Sequence, residues 1–294
     1  MASTQSKLFN TVLRLINKKN FLRKQLAAGK FDPFCSPEPP FSISKSCYVH
    51  KFQINDQNVF ALKPKNKHDT GKNILYLHGG AYVQRFNKFH WDFLAELVKR
   101  THCTITAPDY PLAPAYTYKE SFGMVTELYK RLLETTIPGD LIIMGDSAGG
   151  GLALALAQKM RNENVVQPAQ IILLSPWLDI TLTNPDIKDI EPMDPFLEKE
   201  SLQEAGKLYA GETKRDYYLL SPINGSLEGL GKISVFAGSN EILVADTRKL
   251  KSLAISKGIS LNYNEYAHMV HAWMFLNFPE SKRAKQQIVD LILD

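Results

Sequence analysis

The stretch LIIMGDSAGGGLALALA, Leu141–Ala157, decides how this chain is read. An apolar run of β character ends in Gly145-Asp146-Ser147-Ala148-Gly149, and an Ala/Leu-rich helical stretch begins at once. A strand that passes into a helix within so few residues needs glycine beside the turning residue, because side chains there would collide. The serine is thereby lifted clear of the sheet, at the mouth of a helix whose first N–H groups have no partner within the helix. An ordinary helix N-cap serine is the competing reading.

The same alternation extends in both directions. NILYLH (Asn73–His78), CTITAP (Cys103–Pro108), LIIMG (Leu141–Gly145), IILLSP (Ile171–Pro176), ISVFAG (Ile233–Gly238) and LNYNEY (Leu261–Tyr266) read as strands. Most are near-continuous apolar runs, as in parallel strands covered on both faces. Helical segments separate them: HWDFLAELVKR, YKESFGMVTELYKRLLE, GGGLALALAQKM, TRKLKSLAISK and AKQQIVDLILD. Before them, CYVHKFQI and NVFALK flank the turn-like Asn55-Asp56 and read as a hairpin. The expectation is an α/β fold of about eight strands, mostly parallel, the first two antiparallel, flanked by helices.

Two regions fall outside this pattern. Leu8, Phe9, Val12, Leu13, Ile16 and Leu22 recur at helical spacing among Lys and Arg, giving a basic amphipathic helix. It is expected to pack on the body, with contact to a membrane surface as the alternative. A proline-rich linker, Asp32–Phe41, follows. The connection from Leu178 to about Leu219 is too long for a plain crossover, and Asp194-Pro195 within it reads as a capped helix start. Residues 1–45 and 180–219 are therefore expected to form a helical cap over a core of residues 46–179 and 220–294.

Composition narrows the classes. The 294 residues are 44% hydrophobic and 22% charged, enough for one large domain with a sizeable core. The net charge is only +5, and much of the excess lies in Lys7, Arg14, Lys18, Lys19, Arg23, Lys24 and Lys30. That is a solvated face rather than a nucleic-acid stripe, since the body lacks basic patches interleaved with aromatics. Three cysteines, Cys35, Cys47 and Cys103, without tight spacing argue against a disulfide framework or a zinc site and fit a reducing compartment. The N-terminal stretch does not read as a signal peptide, and no apolar run approaches the ~18–20 residues of a membrane span. A cytoplasmic protein is expected, with monomer and homodimer both open.

Gly145-x-Ser147-x-Gly149 after a strand and before a helix has the form of a nucleophile elbow. A serine nucleophile needs a base. Of seven histidines, His268 and His271 follow the last strand, and His271 is favoured because it lies further along the loop, before an aromatic-rich helix start. The base needs a carboxylate just past ISVFAG. Glu241 and Asp246 are the candidates; Glu241 is favoured, because Asp246 reads as the N-cap of TRKLKSLAIS. Donors for an oxyanion are expected from the N–H of Ala148 and from the glycine-rich turn His78-Gly79-Gly80-Ala81-Tyr82, with His78 structural.

On these residues the chain resembles the hormone-sensitive-lipase-like branch of the α/β-hydrolase family. The resemblance spans roughly Cys47 to Leu276 and rests on HGGAY (78–82), DYPLAP (109–114), GDSAGGGLA (145–153), SPWLD (175–179), NEIL (240–243) and MVHAW (269–273). It implies Ser147 as nucleophile, His271 as base and Glu241 as acid. It also implies an oxyanion hole from the Gly79-Gly80-Ala81 turn and Ala148, with Gly80, Ala81 and Ala148 donating and Gly79 shaping the turn. It further implies hydrolysis of short- to medium-chain acyl esters without metal or cofactor. Three departures stand out: Ala81 where a third glycine is usual, Glu241 where Asp-Pro is commoner, and Pro111 where Arg often follows the Asp-Tyr pair. Tyr82, Trp177, Tyr209, Trp273 and Phe275 are candidates for the substrate pocket, with ordinary core aromatics as the competing reading. An amide, formamide or acetyl substrate is the alternative chemistry, and a non-catalytic small-molecule receptor on the same fold the alternative class.

Overall fold

A computed structural model describes residues 2–31, 35–65 and 69–294; the start of the proline-rich linker, Asp32–Phe34, and His68 lie outside these. In chain order the elements are α1 (Thr4–Leu15), α2 (Phe21–Ala28), β1 (Cys47–Ile54), β2 (Gln57–Pro64), β3 (Asn73–Leu77), α3 (Lys88–Thr101), β4 (Thr104–Pro108) and α4 (Tyr118–Thr135). Then come β5 (Leu141–Asp146), α5 (Ser147–Asn162), β6 (Gln170–Leu174), α6 (Ile187–Ile190), α7 (Lys199–Ala210), β7 (Lys232–Gly238), α8 (Val244–Ser256), β8 (Leu261–Tyr266) and α9 (Pro279–Leu293).

The strands form one eight-stranded sheet in the order β1-β2-β4-β3-β5-β6-β7-β8. The hairpin β1–β2 is antiparallel with Ile54 opposite Gln57. Its two-residue turn places Asn55 and Asp56 at φ +48° and +61°, the left-handed conformation that matches strand twist. β2 is also antiparallel to β4, and all later neighbours are parallel. Every residue of β5 and β6 is buried, as central parallel strands require. Alternating residues feed two cores. Ile143, Leu173 and Val235 join α4, α5 and α8 on one face, while Ile142, Ile172 and Phe236 join α3 and α9 on the other.

Two helix starts differ from expectation. Asp194 does not begin a helix: its Oδ1 accepts the N–H groups of Phe196 and Leu197 in a turn, and α7 starts only at Lys199. Asp246 is not the N-cap of α8, which begins at Val244; it is buried and accepts a hydrogen bond from Asn184 Nδ2 at 2.9 Å. The spacing pattern marked a break in each place, but packing set which residue turned it.

The basic N-terminal helices lie against the long insertion. Arg14 Nη2 donates to the carbonyl of Met193 at 2.8 Å, Lys19 Nζ to that of Glu191 at 2.9 Å, and Arg23 Nε to Glu198 at 2.9 Å. Among the described residues no helix is long and apolar enough to cross a membrane.

The elbow depends on close backbone approach. A Cβ at Gly149 would lie 2.0 Å from the Leu77 carbonyl oxygen, whereas one at Gly123, exposed within α4, would meet nothing within 4 Å. Gly149→Ala should therefore lower the urea midpoint sharply or prevent folding. Gly123→Ala should raise stability by about 0.5–1 kcal/mol, since alanine costs less backbone entropy in a helix.

Candidate active site

Ser147 sits at the seam of β5 and α5 with φ +52°, a left-handed conformation that is costly for a non-glycine residue. The strain is held by the packing of the glycines around it: a Cβ at Gly145 would lie 2.2 Å from the Gly149 carbonyl oxygen. The Ser147 carbonyl accepts from Trp177 N–H at 2.8 Å, tying the elbow to the chain leaving β6.

His271 Nε2 lies 2.9 Å from Ser147 Oγ, and its Nδ1 lies 2.5 Å from Glu241 Oε2. The serine and histidine keep only 8% and 6% of their exposure, and Glu241 none. Glu241 Oε1 accepts from Gly238 N–H and from Ser175 Oγ, both at 2.8 Å. A carboxylate with both oxygens engaged holds one orientation, which selects the imidazole tautomer protonated on Nδ1. Burial works to lower the His271 pKa. The hydrogen bond and charge of Glu241, with the charges of Asp194 and Asp146, outweigh it, and the net shift is upward.

The rival candidates lie elsewhere. His268 is exposed, and its backbone N–H donates to Ser239 Oγ at 2.7 Å. Asp246, pushed up to about 6 by burial, faces Asn184.

Around the glycine-rich turn, Gly80, Ala81 and Tyr82 have φ of +122°, +54° and +61°. Ala81 thus adopts the left-handed backbone that the usual glycine would take more easily. The Gly79 N–H donates to Asp146 Oδ1 at 2.8 Å, so within the oxyanion-hole turn this residue shapes the backbone and its N–H is not a free donor. His78 is buried against Tyr110, with ring centroids 4.4 Å apart, and its Nδ1 is 2.7 Å from the Gly79 carbonyl. Burial pushes its pKa down to about 3, so the ring is neutral. Where Arg is usual the chain has Pro111, but Arg85 Nε reaches the preceding Asp109 at 3.1 Å and supports that loop from the other side.

The pocket candidates separate. Tyr82 stacks on Tyr209 at 3.7 Å and on Trp177 at 5.6 Å in one cluster. Trp273 packs on Tyr266, and Phe275 on His90 and Phe93, in the core on the opposite sheet face. These two are core aromatics, because the chain turns back to the α9 side directly after His271.

Four residues escaped the sequence reading. Asp146, the unread position of the elbow, also accepts Tyr76 Oη at 2.5 Å and faces His90 Nε2 at 3.3 Å; burial raises its pKa, but these partners bring the net shift down. Ser175, at φ +46°, links the acid to the base loop, since Ala272 N–H donates to its Oγ at 3.2 Å. Asp194 Oδ2 accepts from Ile242 N–H at 2.8 Å, beside Glu241, while burial pushes its pKa up to about 6. Phe196 packs beside the His271 ring, with centroids 5.7 Å apart and planes tilted by 50°. Ser175 and Asp146 stand within the quoted SPWLD and GDSAGGGLA motifs, and Asp194 reads only as a helix start; their roles, and Phe196 altogether, are visible only in three dimensions. Among the described residues no group of three or more His, Cys, Asp or Glu is placed to hold a metal.

A strand, a strained serine between glycines and a carboxylate–imidazole–hydroxyl chain define the class, and comparison with known proteins agrees. Residues 74–275 match the family model described as the alpha/beta hydrolase fold, and the chain belongs to the α/β-hydrolase family. It is 33% identical over 221 residues to an esterase of Acinetobacter venetianus, covering 74% of this chain and 73% of that protein. It is 30% identical over 217 residues to an acetyl-hydrolase of Streptomyces hygroscopicus, covering 73% of each. The crystal structure of an esterase from the bacterial hormone-sensitive lipase family superposes with a TM-score of 0.83 at 25% identity, over 100% of this chain and 99% of that one. Within the family, the chain is hormone-sensitive-lipase-like.

Asp194→Asn keeps an acceptor for the 194–197 turn but removes a charge that raises the His271 pKa. Its acid limb in kcat/KM should move to lower pH, and kcat should fall about tenfold, the scale of one buried charged hydrogen bond. Ser175→Ala should lower kcat by a similar factor without moving KM, measured by steady-state kinetics at fixed pH.

Proposed function

We propose that this protein is a serine carboxylic-ester hydrolase of short- to medium-chain acyl esters, acting through an acyl-enzyme on Ser147. The observation that carries the reading is the hydrogen-bonded chain from Ser147 Oγ through His271 to Glu241 beside the glycine-rich turn. Ser147 Oγ attacks the ester carbonyl carbon while its proton passes to His271 Nε2. Glu241 stabilises the imidazolium that forms. The N–H groups of Gly80, Ala81 and Ala148 receive the oxyanion. The carbon–oxygen bond to the alcohol then breaks, and the leaving oxygen takes the proton from His271. Water, deprotonated by the same imidazole, attacks the acyl carbon and releases the carboxylic acid and free Ser147.

The cap assigned to residues 1–45 and 180–219 fits this chemistry. Phe196 from the insertion packs beside the base, and Tyr209 of α7 stacks on Tyr82 next to the glycine turn. We assign Tyr82, Trp177 and Tyr209 to the acyl side of the site. The acetyl-hydrolase among the relatives favours a short acyl group, and a tight aromatic wall of this kind does the same.

Ser147→Ala should reduce p-nitrophenyl acetate hydrolysis by about 10⁴-fold or more while circular dichroism is unchanged; undiminished turnover would refute the assignment. Activity needs neutral His271. Its folded pKa is raised above the ordinary 6.5, so kcat/KM should climb with pH along a limb centred above that value. Rates across p-nitrophenyl esters of rising chain length should fall beyond medium chains.

A further inference from the structure

The first 31 residues contain seven lysines and arginines and no aspartate or glutamate. The whole chain has a net charge of only +5, so its positive excess is concentrated there. Within this segment the apolar positions of α1 divide between two faces. Leu13 is buried, and Phe9 packs edge-on against Phe278 at 5.4 Å. Leu8, Val12, Leu15 and Ile16, at i, i+4, i+7 and i+8, face away from the body and remain 65%, 42%, 80% and 64% exposed. The sequence expectation that the helix packs its apolar side on the body therefore holds for one face only. Exposed Lys7 and Arg14 lie on the polar side of the helix, roughly 80–100° round from Leu15.

We propose that this face of α1 docks on an anionic phospholipid surface. An exposed apolar stripe with cations on the polar side, on a helix about 18 Å long, is the pattern of a helix lying in the membrane interface. Charge selects this occupant over a second copy of the chain, because self-association would bring together two segments of the same sign. The same N-terminal segment is bonded to residues 191–198, which carry Phe196 beside His271. The proposal concerns binding and stands whether or not the esterase reading holds.

The test is flotation of the full chain with vesicles of phosphatidylcholine alone or mixed with phosphatidylglycerol. Binding is expected to the anionic vesicles and should weaken as salt screens the cations. The double variant Leu8→Glu/Leu15→Glu should lower the bound fraction about tenfold with circular dichroism and soluble-ester turnover unchanged. No binding to anionic vesicles at low salt would overturn the proposal. So would equal binding to neutral vesicles, undiminished binding by the variant, or a dimer in solution that the variant dissociates.

Discussion

The close approach of Gly145, Gly149 and the Leu77 carbonyl is the constraint on which the site rests. With no Cβ at either glycine, α5 can begin immediately at the edge of β5, and the residue between them is driven into the left-handed region. Three consequences share that one turn. The Ser147 hydroxyl stands toward His271, its carbonyl fastens the Trp177 backbone, and Asp146 grips Gly79. The nucleophile position and the glycine-rich turn are thereby built as a single unit, because adjacent residues of the elbow bond to both. A side chain at either glycine would disturb both at once.

Electrostatics then separates groups of one chemical type. His78 and His271 are both buried, yet burial brings His78 down to about 3 while carboxylates lift His271. One ring is a neutral strut and the other a base poised to accept a proton, with the difference set by neighbours rather than by sequence context. The carboxylates part in the same way. Asp146 is lowered by its donors, whereas burial raises Asp194 and Asp246 to about 6. Asp194 adds a mechanical link, joining the insertion to the acid loop through one backbone N–H.

The insertion is in turn held from outside by Arg14, Lys19 and Arg23. The N-terminal helices therefore have two sides with different chemistry. The inner side supplies cations to carbonyls and to buried Glu198, and the outer side of α1 leaves aliphatic residues in water.

Much was legible along the chain because the signals are local. Apolar runs and helical periodicity showed an eight-stranded α/β sheet, and the glycines flanking Ser147 showed a turn that only residues without side chains allow. The Asn55-Asp56 turn was readable for the same reason. Spacing marked Asp194 and Asp246 only as helix starts, because an N-cap and a buried carboxylate have the same residue type and differ only in what surrounds them. The sequence by itself determined the order of strands and helices, the elbow, the glycine turn and a short list of titratable candidates. Tertiary structure alone decided that His271 rather than His268 meets the serine, across 124 positions of chain, and that Glu241 rather than Asp246 meets that histidine across 30. Only it could send Trp273 to the opposite core and turn every aliphatic residue of α1 except Leu13 to solvent. Periodicity reports that a side chain is apolar or that a helix has faces; which surface each face meets depends on packing among segments far apart in the chain.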